Sequence, residues 1–264
     1  MLSLYSLVST PILAITFSPE VRLRLYRSHR PPADLHQIAH REWVPVHIEY
    51  LKAEVLLVLL AGADTTGTVF QALVHFLLPN TSAYRCMMDE IDAATAKRLI
   101  SEPVSRYDEI VEHLPYYVAC VRETLRLNPP APNIFPRYVS EPGMDLYGKF
   151  APAGTEISGN SWIMHRDKKL YGEDAEKFKP EHWLDAEKAR LYNKYSFTFG
   201  YGARVCLGKD IAMLELYKGP LQCFRRFTVR TVSDEPQARF VIKEKVGFYR
   251  DLWLAIDRRQ PEKP

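Results

Sequence analysis

The sequence predicts a mainly helical globular chain with a few small β-sheets, on three observations. An apolar run from Ala53 to Leu78 is long enough for a core helix and contains no proline. A second helical segment, residues 116–127, stops where Asn128 and two prolines follow, because proline lacks the N–H that a helix needs. Residues 147–158 contain a Pro/Gly turn between short segments, a pattern typical of a β-hairpin.

The composition is that of an ordinary globular protein and argues against nucleic-acid binding and against a disulfide-stabilised fold. The chain has 264 residues, of which 47% are hydrophobic and 25% charged, which is enough to bury a core. A net charge of +3 is too small to indicate a nucleic-acid-binding protein. The four cysteines lie scattered along the chain, so we expect no disulfide framework.

The N-terminal segment leaves two interpretations open. Leu2 to Phe17 is an apolar-leaning run of 16 residues, which as a helix would span about 24 Å, less than the ~30 Å core of a bilayer. Four arginines between Arg22 and Arg30 and then two prolines follow it. Either this is a membrane-associated leader that keeps the rest of the chain on the cytosolic side, or it is an amphipathic or buried segment. We predict a leader over residues 1–45 and a functional portion over residues 46–264.

Cys206 is the most informative single residue. It lies among three glycines, with Arg204 two residues before it and a predicted helix from Lys209 to Tyr217 directly after it. A helix N-terminus favours a thiolate, which serves as a nucleophile or as a metal ligand. A catalytic cysteine needs a base beside it, but the histidine nearest in sequence is His182. The setting therefore favours a metal ligand.

The pattern from Phe199 to Gly208, Phe-x-x-Gly-x-Arg-x-Cys-x-Gly, resembles the haem-ligand loop of the cytochrome P450 family. The resemblance implies a cytochrome P450 fold in which Cys206 is the axial thiolate ligand of the iron in haem b. It also implies that Phe199, Gly202 and Gly208 contact the haem and that Arg204 binds a haem propionate. No Cys-x-x-Cys-His motif is present, so the haem would be bound without thioether bonds.

A polar interruption in the long apolar run supports the same resemblance. Asp64 and Thr65 stand in its most apolar part, where a carboxylate is costly unless it is paired or hydrated. Gly62 and the threonine hydroxyls lead us to expect a small polar notch in the helix. The family's central helix carries such an acid–alcohol pair, which implies that Asp64 delivers protons and Thr65 stabilises bound oxygen. The alternative is a helix with a polar seam.

The segment Glu123-Thr-Leu-Arg126 completes the pattern. Glutamate and arginine three residues apart share a helical face and can pair, as in the family's Glu-x-x-Arg helix, where the pair is structural. The resemblance implies that Arg137 reaches a second haem propionate. Residues 160–167 and 178–183 resemble the family's meander, except that His182 stands where arginine is usual. Histidine can still donate a hydrogen bond there, although its reach is shorter.

Together these segments imply a monooxygenase that inserts one atom of O₂ into a small organic substrate. Electrons would come from NADPH through a cytochrome P450 reductase, for which Arg190, Lys194, Lys209 and Lys218 are candidate docking residues. The closest resemblance is to fungal pisatin demethylase-like members, which indicates secondary metabolism and the cytosolic face of the endoplasmic reticulum membrane, or otherwise the cytoplasm.

The resemblance covers residues 49–256 and corresponds to the C-terminal half of the family's fold. We therefore expect much of the N-terminal half to be missing. One alternative is accordingly a truncated haem-binding remnant without productive turnover, because water exclusion is part of how such sites work. Another is an isomerase, dehydratase or peroxide-driven enzyme, which the pair of Asp64 and Thr65 disfavours.

Overall fold

A computed structural model describes residues 47–132, 135–232, 238–243 and 246–259. The chain divides into two compact units, residues 2–61 and residues 62–264. Of the smaller unit, only residues 47–61 are described, and they are helical from Ile48 onward. The predicted leader, residues 1–45, lies outside the described residues.

Eight α-helices and two short 3₁₀ turns account for most of the described residues, which agrees with the predicted mainly helical class. The 3₁₀ turns are Pro180–Trp183 and Gly202–Arg204. The helices are α1 (Ile48–Leu77), α2 (Thr81–Ala96), α3 (Tyr107–His113), α4 (Pro115–Leu127), α5 (Ser161–Met164), α6 (Lys168–Tyr171), α7 (Ala186–Tyr195) and α8 (Lys209–Arg226).

The strands form four small antiparallel pairs. These are β1 (Arg137–Tyr138) with β4 (Glu156–Ile157), β2 (Met144–Leu146) with β3 (Lys149–Ala151), β5 (Phe227–Thr231) with β8 (Leu254–Arg258), and β6 (Arg239–Lys243) with β7 (Val246–Arg250). The β5–β8 pair places Val229 opposite Ile256 and returns the end of the described chain to the end of α8.

The hairpin predicted over residues 147–158 is wrong, because the strands on either side of its Pro/Gly segment belong to different pairs, and a hairpin forms instead between β2 and β3. Strands β2 and β3 are joined by Tyr147 and Gly148, whose φ angles are +54° and +79°. Two-residue hairpin turns of this type need positive φ at both central positions, because that twist matches the twist of the strands. Asp145 accepts a hydrogen bond from the Gly148 N–H at 3.0 Å. The predicted turn at residues 152–154 instead connects β3 to β4.

The main core of the larger unit lies where α1, α2, α4 and α8 meet. Fully buried side chains from these four helices include Leu73, Met87, Val121 and Leu221. Each such side chain contributes about 1.5–3 kcal/mol when it is removed from water. This core therefore fixes the Glu-x-x-Arg helix α4 against α8, the helix that follows Cys206.

Helix α1 is buried in only its second half, although the sequence predicted a core helix along its whole length. Burial begins at Thr68, whereas the side chains from Val55 to Leu60 are all exposed. Within the described part of the chain, α1 is the one helix long and apolar enough to cross a membrane, with 11% of its most apolar window buried.

Helix α8 contains a proline in its interior, and a side chain from α4 compensates for it. Pro220 lacks the N–H that would bond the carbonyl of Leu216, four residues earlier. The hydroxyl of Tyr117 donates to that carbonyl at 3.0 Å and lies 3.1 Å from the carbonyl of Tyr217. The helix thus continues through the proline to Arg226.

Candidate functional site

The turn that carries Cys206 is closed by its own backbone. Gly200 and Gly202 have φ angles of +73° and +68°, a region that residues with a Cβ rarely adopt. The Cys206 N–H donates to the carbonyl of Phe199 at 2.8 Å, which joins the two ends of the turn. The Cys206 side chain, at the C-terminal end of the turn, is exposed.

Helix α8 starts three residues after Cys206, as the sequence predicted, and continues beyond the predicted end at Tyr217. Gly208 caps this helix, and the Lys209 N–H lies 3.4 Å from the carbonyl of Cys206. A Cβ placed on Gly208 would lie 3.9 Å from the Cys206 Sγ atom. The glycine therefore keeps one side of the sulfur open.

The residues next to Cys206 in sequence carry exposed apolar side chains. Leu207 is 100% exposed, and Tyr201 and Val205 are also largely solvent-accessible. Phe199 is half-buried and packs on the main core, which anchors the turn. An exposed thiol among exposed apolar side chains is a surface suited to a flat apolar ligand.

The two arginines predicted to bind the haem propionates lie in different structural elements. Arg204 lies in the 3₁₀ turn, is exposed, and forms no hydrogen bond or ion pair with other described residues. Arg137 lies in β1, is also exposed, and donates to the carbonyls of Phe135 and Pro136 at 3.0 and 2.9 Å. No contact between the two arginines is present in the described ranges.

A buried ion pair organises the scaffold behind the turn. Arg126 donates from Nε and Nη2 to the two carboxylate oxygens of Glu123, both at 2.8 Å, and both side chains are buried. The remaining guanidinium N–H groups donate to the carbonyls of His165, Ala175 and Lys177. This pair fixes the meander to α4, since every donor of the guanidinium has a partner.

The structure corrects the expected role of His182. Its Nδ1 atom lies 3.8 Å from the Glu123 carboxylate, too far for a hydrogen bond, and has no other partner among the described residues. The Trp183 Nε1–H and the Lys179 backbone N–H donate to Glu123 instead, at 2.8 and 3.0 Å. Neither donor is predictable from the sequence, because a tryptophan next to an expected basic residue, or one backbone N–H among many, gives no signal of its own.

The C-terminal end of α4 has a partner for each of its last four carbonyl groups, which a helix leaves without internal partners. The Asn128 N–H donates to Thr124 at 2.8 Å, and the hydroxyl of Thr198 donates to Leu125 at 3.3 Å. The Arg166 guanidinium donates to the carbonyl of Leu127 at 2.7 Å.

The carbonyl of Arg126, the third in this row, is bound by the imidazole of His165. The Nδ1 atom lies 2.9 Å from that carbonyl, and the Nε2 atom lies 2.9 Å from the backbone N–H of Phe197. Burial and the charges of Arg126 and Arg166 lower the pKa of His165 to about 4. His165 was seen in the sequence only as part of the meander, because buried contacts of this kind depend on tertiary structure.

A cavity of about 720 Å³ lies behind the turn. Leu125 and His165 line it on one side, Phe199 and Val205 on the loop side, and Met213 from α8 on another. The turn is therefore backed by open space rather than by a closely packed layer of side chains.

The acid–alcohol pair lies on α1, away from these contacts. Asp64 is exposed and Thr65 is half-buried. The helix is continuous α from Ile48 to Leu77, so the expected notch in its backbone is not present. One turn later, the Thr68 hydroxyl donates to the carbonyl of Gly247 at 2.7 Å, which ties α1 to β7. No hydrogen bond or ion pair joins Asp64 to the Cys206 turn in the part of the chain that the structure describes.

Comparison with known proteins decides the family. The cytochrome P450 family model matches residues 29–250 of this chain. The chain belongs to the cytochrome P450 family. The expected class, mainly α with small β-sheets on the cytochrome P450 pattern, is thereby confirmed.

Several fungal P450 enzymes are similar in sequence. The chain is 34% identical over 206 residues to a cytochrome P450 monooxygenase of Alternaria alternata, covering 76% of this chain and 53% of that protein. It is 37% identical over 213 residues to quiannulatic acid synthase of Emericella variicolor, covering 80% and 39%. It is 34% identical over 169 residues to pisatin demethylase of Fusarium vanettenii, covering 64% and 32%. The chain spans about half the length of these P450 relatives or less.

P450 proteins bind haem through a cysteine thiolate and take electrons from a reductase. The residues present here fit that group on chemical grounds. The Cys206 thiol is exposed, the side of its sulfur next to Gly208 is open, and apolar side chains adjoin it. The guanidinium of Arg204 is free to pair with a carboxylate, which is what a propionate offers.

Proposed function

We propose that this chain is the haem-thiolate portion of a P450 monooxygenase that inserts one atom of O₂ into a small organic substrate. The observation that carries the proposal is the exposed Cys206 thiol at the tip of a closed turn, held by the hydrogen bond from its own N–H to Phe199. A thiol that is exposed on a turn closed by a backbone hydrogen bond, and that forms no hydrogen bond with a histidine among the described residues, is suited to bind a metal rather than to attack a substrate.

Specific residues would hold the haem. Cys206 would supply the axial thiolate, and Phe199, Gly202 and Gly208 would adjoin the ring, two of them as glycines that allow close approach. Arg204 and Arg137 would bind the propionates by charge-assisted hydrogen bonds. When bound, the haem supplies the activation of O₂.

The chain's own contribution to the proton supply would come from α1. The carboxylate of Asp64 is exposed and can exchange protons with solvent, and the next residue, Thr65, carries a hydroxyl that can pass a proton inward. Because α1 is a continuous helix held by its buried second half, these two side chains keep a fixed spacing.

The partners and location follow from the same proposal. Residues 46–264 would bind the haem, and residues 1–45 would form a leader associated with the cytosolic face of the endoplasmic reticulum membrane. NADPH electrons would arrive through a reductase at the surface around Arg190, Lys194 and Lys209, which are exposed near the turn. The names of the relatives support a substrate from fungal secondary metabolism.

The test is the spectrum of the reduced, carbon-monoxide-bound protein after the 264-residue chain is supplied with haem. We expect a strongly red-shifted Soret band, which reports thiolate ligation. Cys206→Ser should abolish the band, whereas Cys86→Ser, which changes another exposed cysteine on α2, should leave it in place. A wild-type spectrum without the band, or a band that survives Cys206→Ser, would refute the proposal.

The exposure of Asp64 favours one second candidate, a haem-binding chain that consumes NADPH without releasing product. An acid open to solvent does not restrict protons to the productive step, and water exclusion is part of how such sites stay coupled. Product formed per NADPH consumed, measured with a reductase, distinguishes the two. A ratio near zero in a protein that shows the red-shifted band would favour the second candidate.

A further inference from the structure

We infer that His165 is a positioning residue, whose Nε2 atom holds the Cys206 turn in the conformation that presents the thiol. The inference rests on the proposed role of Cys206 as a haem ligand. Among the described residues no hydrogen bond joins His165 to the thiol or to the glycines of the turn, so it acts through the backbone of Phe197.

The partners of the imidazole fix its tautomer. The carbonyl of Arg126 can only accept, so Nδ1 must carry the hydrogen. The N–H of Phe197 can only donate, so Nε2 must offer its lone pair. A neutral Nδ1–H imidazole satisfies both contacts, whereas a protonated ring would set one N–H against another. The low pKa of His165 agrees with this arrangement.

A short series of backbone contacts leads from His165 to the thiol. The carbonyl of Phe197 accepts the Gly200 N–H at 3.1 Å, which forms the first part of the turn. The carbonyl of Phe199 accepts the Cys206 N–H at 2.8 Å, which closes it. His165 thus holds the N–H of Phe197, the residue whose carbonyl starts the turn.

The cavity behind the turn makes this contact important. Where side chains pack closely behind a loop, packing fixes its position, but here Phe199 is the one residue of the turn that packs on the main core among the described residues, and both Phe199 and Val205 border an open space of about 720 Å³. Two tethers join the start of the turn to α4: the His165 ring, buried to 1% exposure, and the longer contact of Thr198 with Leu125 at 3.3 Å. The shorter, buried contact holds more tightly.

Two substitutions test the hydrogen bonds of Nδ1 and Nε2 of His165 separately. His165→Gln places an amide oxygen near the position of Nε2 and keeps an acceptor for Phe197. His165→Asn reaches only the position of Nδ1 and keeps a donor for Arg126. Thr124→Val is the matched control, because it removes a buried hydrogen bond within α4, to Cys120 at 2.8 Å, without touching the turn.

The first measurement is hydrogen exchange at the Phe197 amide in the 264-residue chain without haem. We expect exchange about tenfold faster in His165→Asn, since a hydrogen bond of this kind contributes about 0.5–1.5 kcal/mol. In His165→Gln and in Thr124→Val the rate should stay within about threefold of the wild type. The second measurement is the reduced carbon-monoxide spectrum of the haem-loaded chain, in which His165→Asn alone should lose the red-shifted band.

The outcomes separate this inference from the proposed function. An unchanged Phe197 rate in His165→Asn, or equal acceleration in the Asn and Gln variants, overturns the positioning role, since a general loss of packing would affect both alike. If the wild type shows no red-shifted band but the exchange rates follow the expected order, the haem-thiolate proposal fails and the role of His165 in holding the turn is supported.

Discussion

Replacing Glu123 with glutamine should destabilise the larger unit severely. Its Oε1 atom accepts from Arg126 and from the Lys179 N–H, and its Oε2 atom accepts from Arg126 and from Trp183, all at 2.8–3.0 Å. A glutamine amide would set an NH₂ group against two of these donors and leave the charge of Arg126 unpaired in a site only 2% exposed. Removing one partner of a buried pair costs about 3–5 kcal/mol, a large share of the 5–15 kcal/mol that stabilises typical domains.

Equilibrium urea unfolding at pH 7, followed by far-UV circular dichroism, measures this loss. With a slope of about 2 kcal/mol per molar urea, we expect the midpoint to fall by about 2 M. Glu173→Gln is the matched control, because its ion pair with Lys168 has the same 2.8 Å distance but is exposed. That change should cost less than about 1 kcal/mol. A Glu123→Gln midpoint equal to that of the control would refute the argument that burial makes the pair essential.

Three further predictions concern other parts of the scaffold. Tyr117→Phe leaves the buried carbonyl of Leu216 without a donor and should cost about 1–3 kcal/mol in urea unfolding; an unchanged midpoint would contradict the assigned contact. The pKa of His165 is lowered from 6.5 to about 4, so the unfolded chain binds the extra proton first and stability is lost as pH falls from 6.5 toward 4. Protonation of His165 alone should lower the free energy of unfolding by up to about 3 kcal/mol between pH 6.5 and pH 4. In His165→Gln, thermal unfolding measured across this range should show a smaller dependence of stability on pH. Gly202→Ala forces a Cβ onto a residue at φ +68°, so it should lower the free energy of unfolding by about 1–2 kcal/mol and weaken haem binding by titration. Gly67→Ala within α1, where a Cβ would meet no neighbouring atom, should instead stabilise the chain by about 0.5–1 kcal/mol.

Local features of the fold were predictable from sequence because short-range chemistry determines them. Pro129 and Pro130 end α4 where expected, and Gly208 precedes the helix that starts at Lys209. The pairing of Glu123 with Arg126 followed from helical spacing alone.

Other features required tertiary structure and could not be read from the chain. The third donor to Glu123 is Trp183 rather than His182, because the backbone of the 3₁₀ turn decides which side chain faces the carboxylate. The role of His165 depends on a contact with Phe197, 32 residues away. The apolar run from Ala53 to Leu78 predicts a core helix, but only the second half of α1 is buried, and periodicity cannot show which half of an apolar helix has partners. The roles assigned to the site residues all stay predictions: Cys206 as the iron ligand, Asp64 and Thr65 in proton supply, and Phe199, Gly202, Arg204, Gly208 and Arg137 at the haem.

The compensation of Pro220 by Tyr117 also constrains the order in which these positions can change. Alanine at position 220 would restore the missing N–H for Leu216, after which the Tyr117 hydroxyl becomes dispensable. Loss of the hydroxyl first would instead pass through a chain with an orphaned buried carbonyl. The two substitutions are therefore tolerated when Pro220 changes first and destabilising when Tyr117 changes first. A double-mutant cycle should show energetic coupling between these two residues, which lie 103 positions apart in sequence.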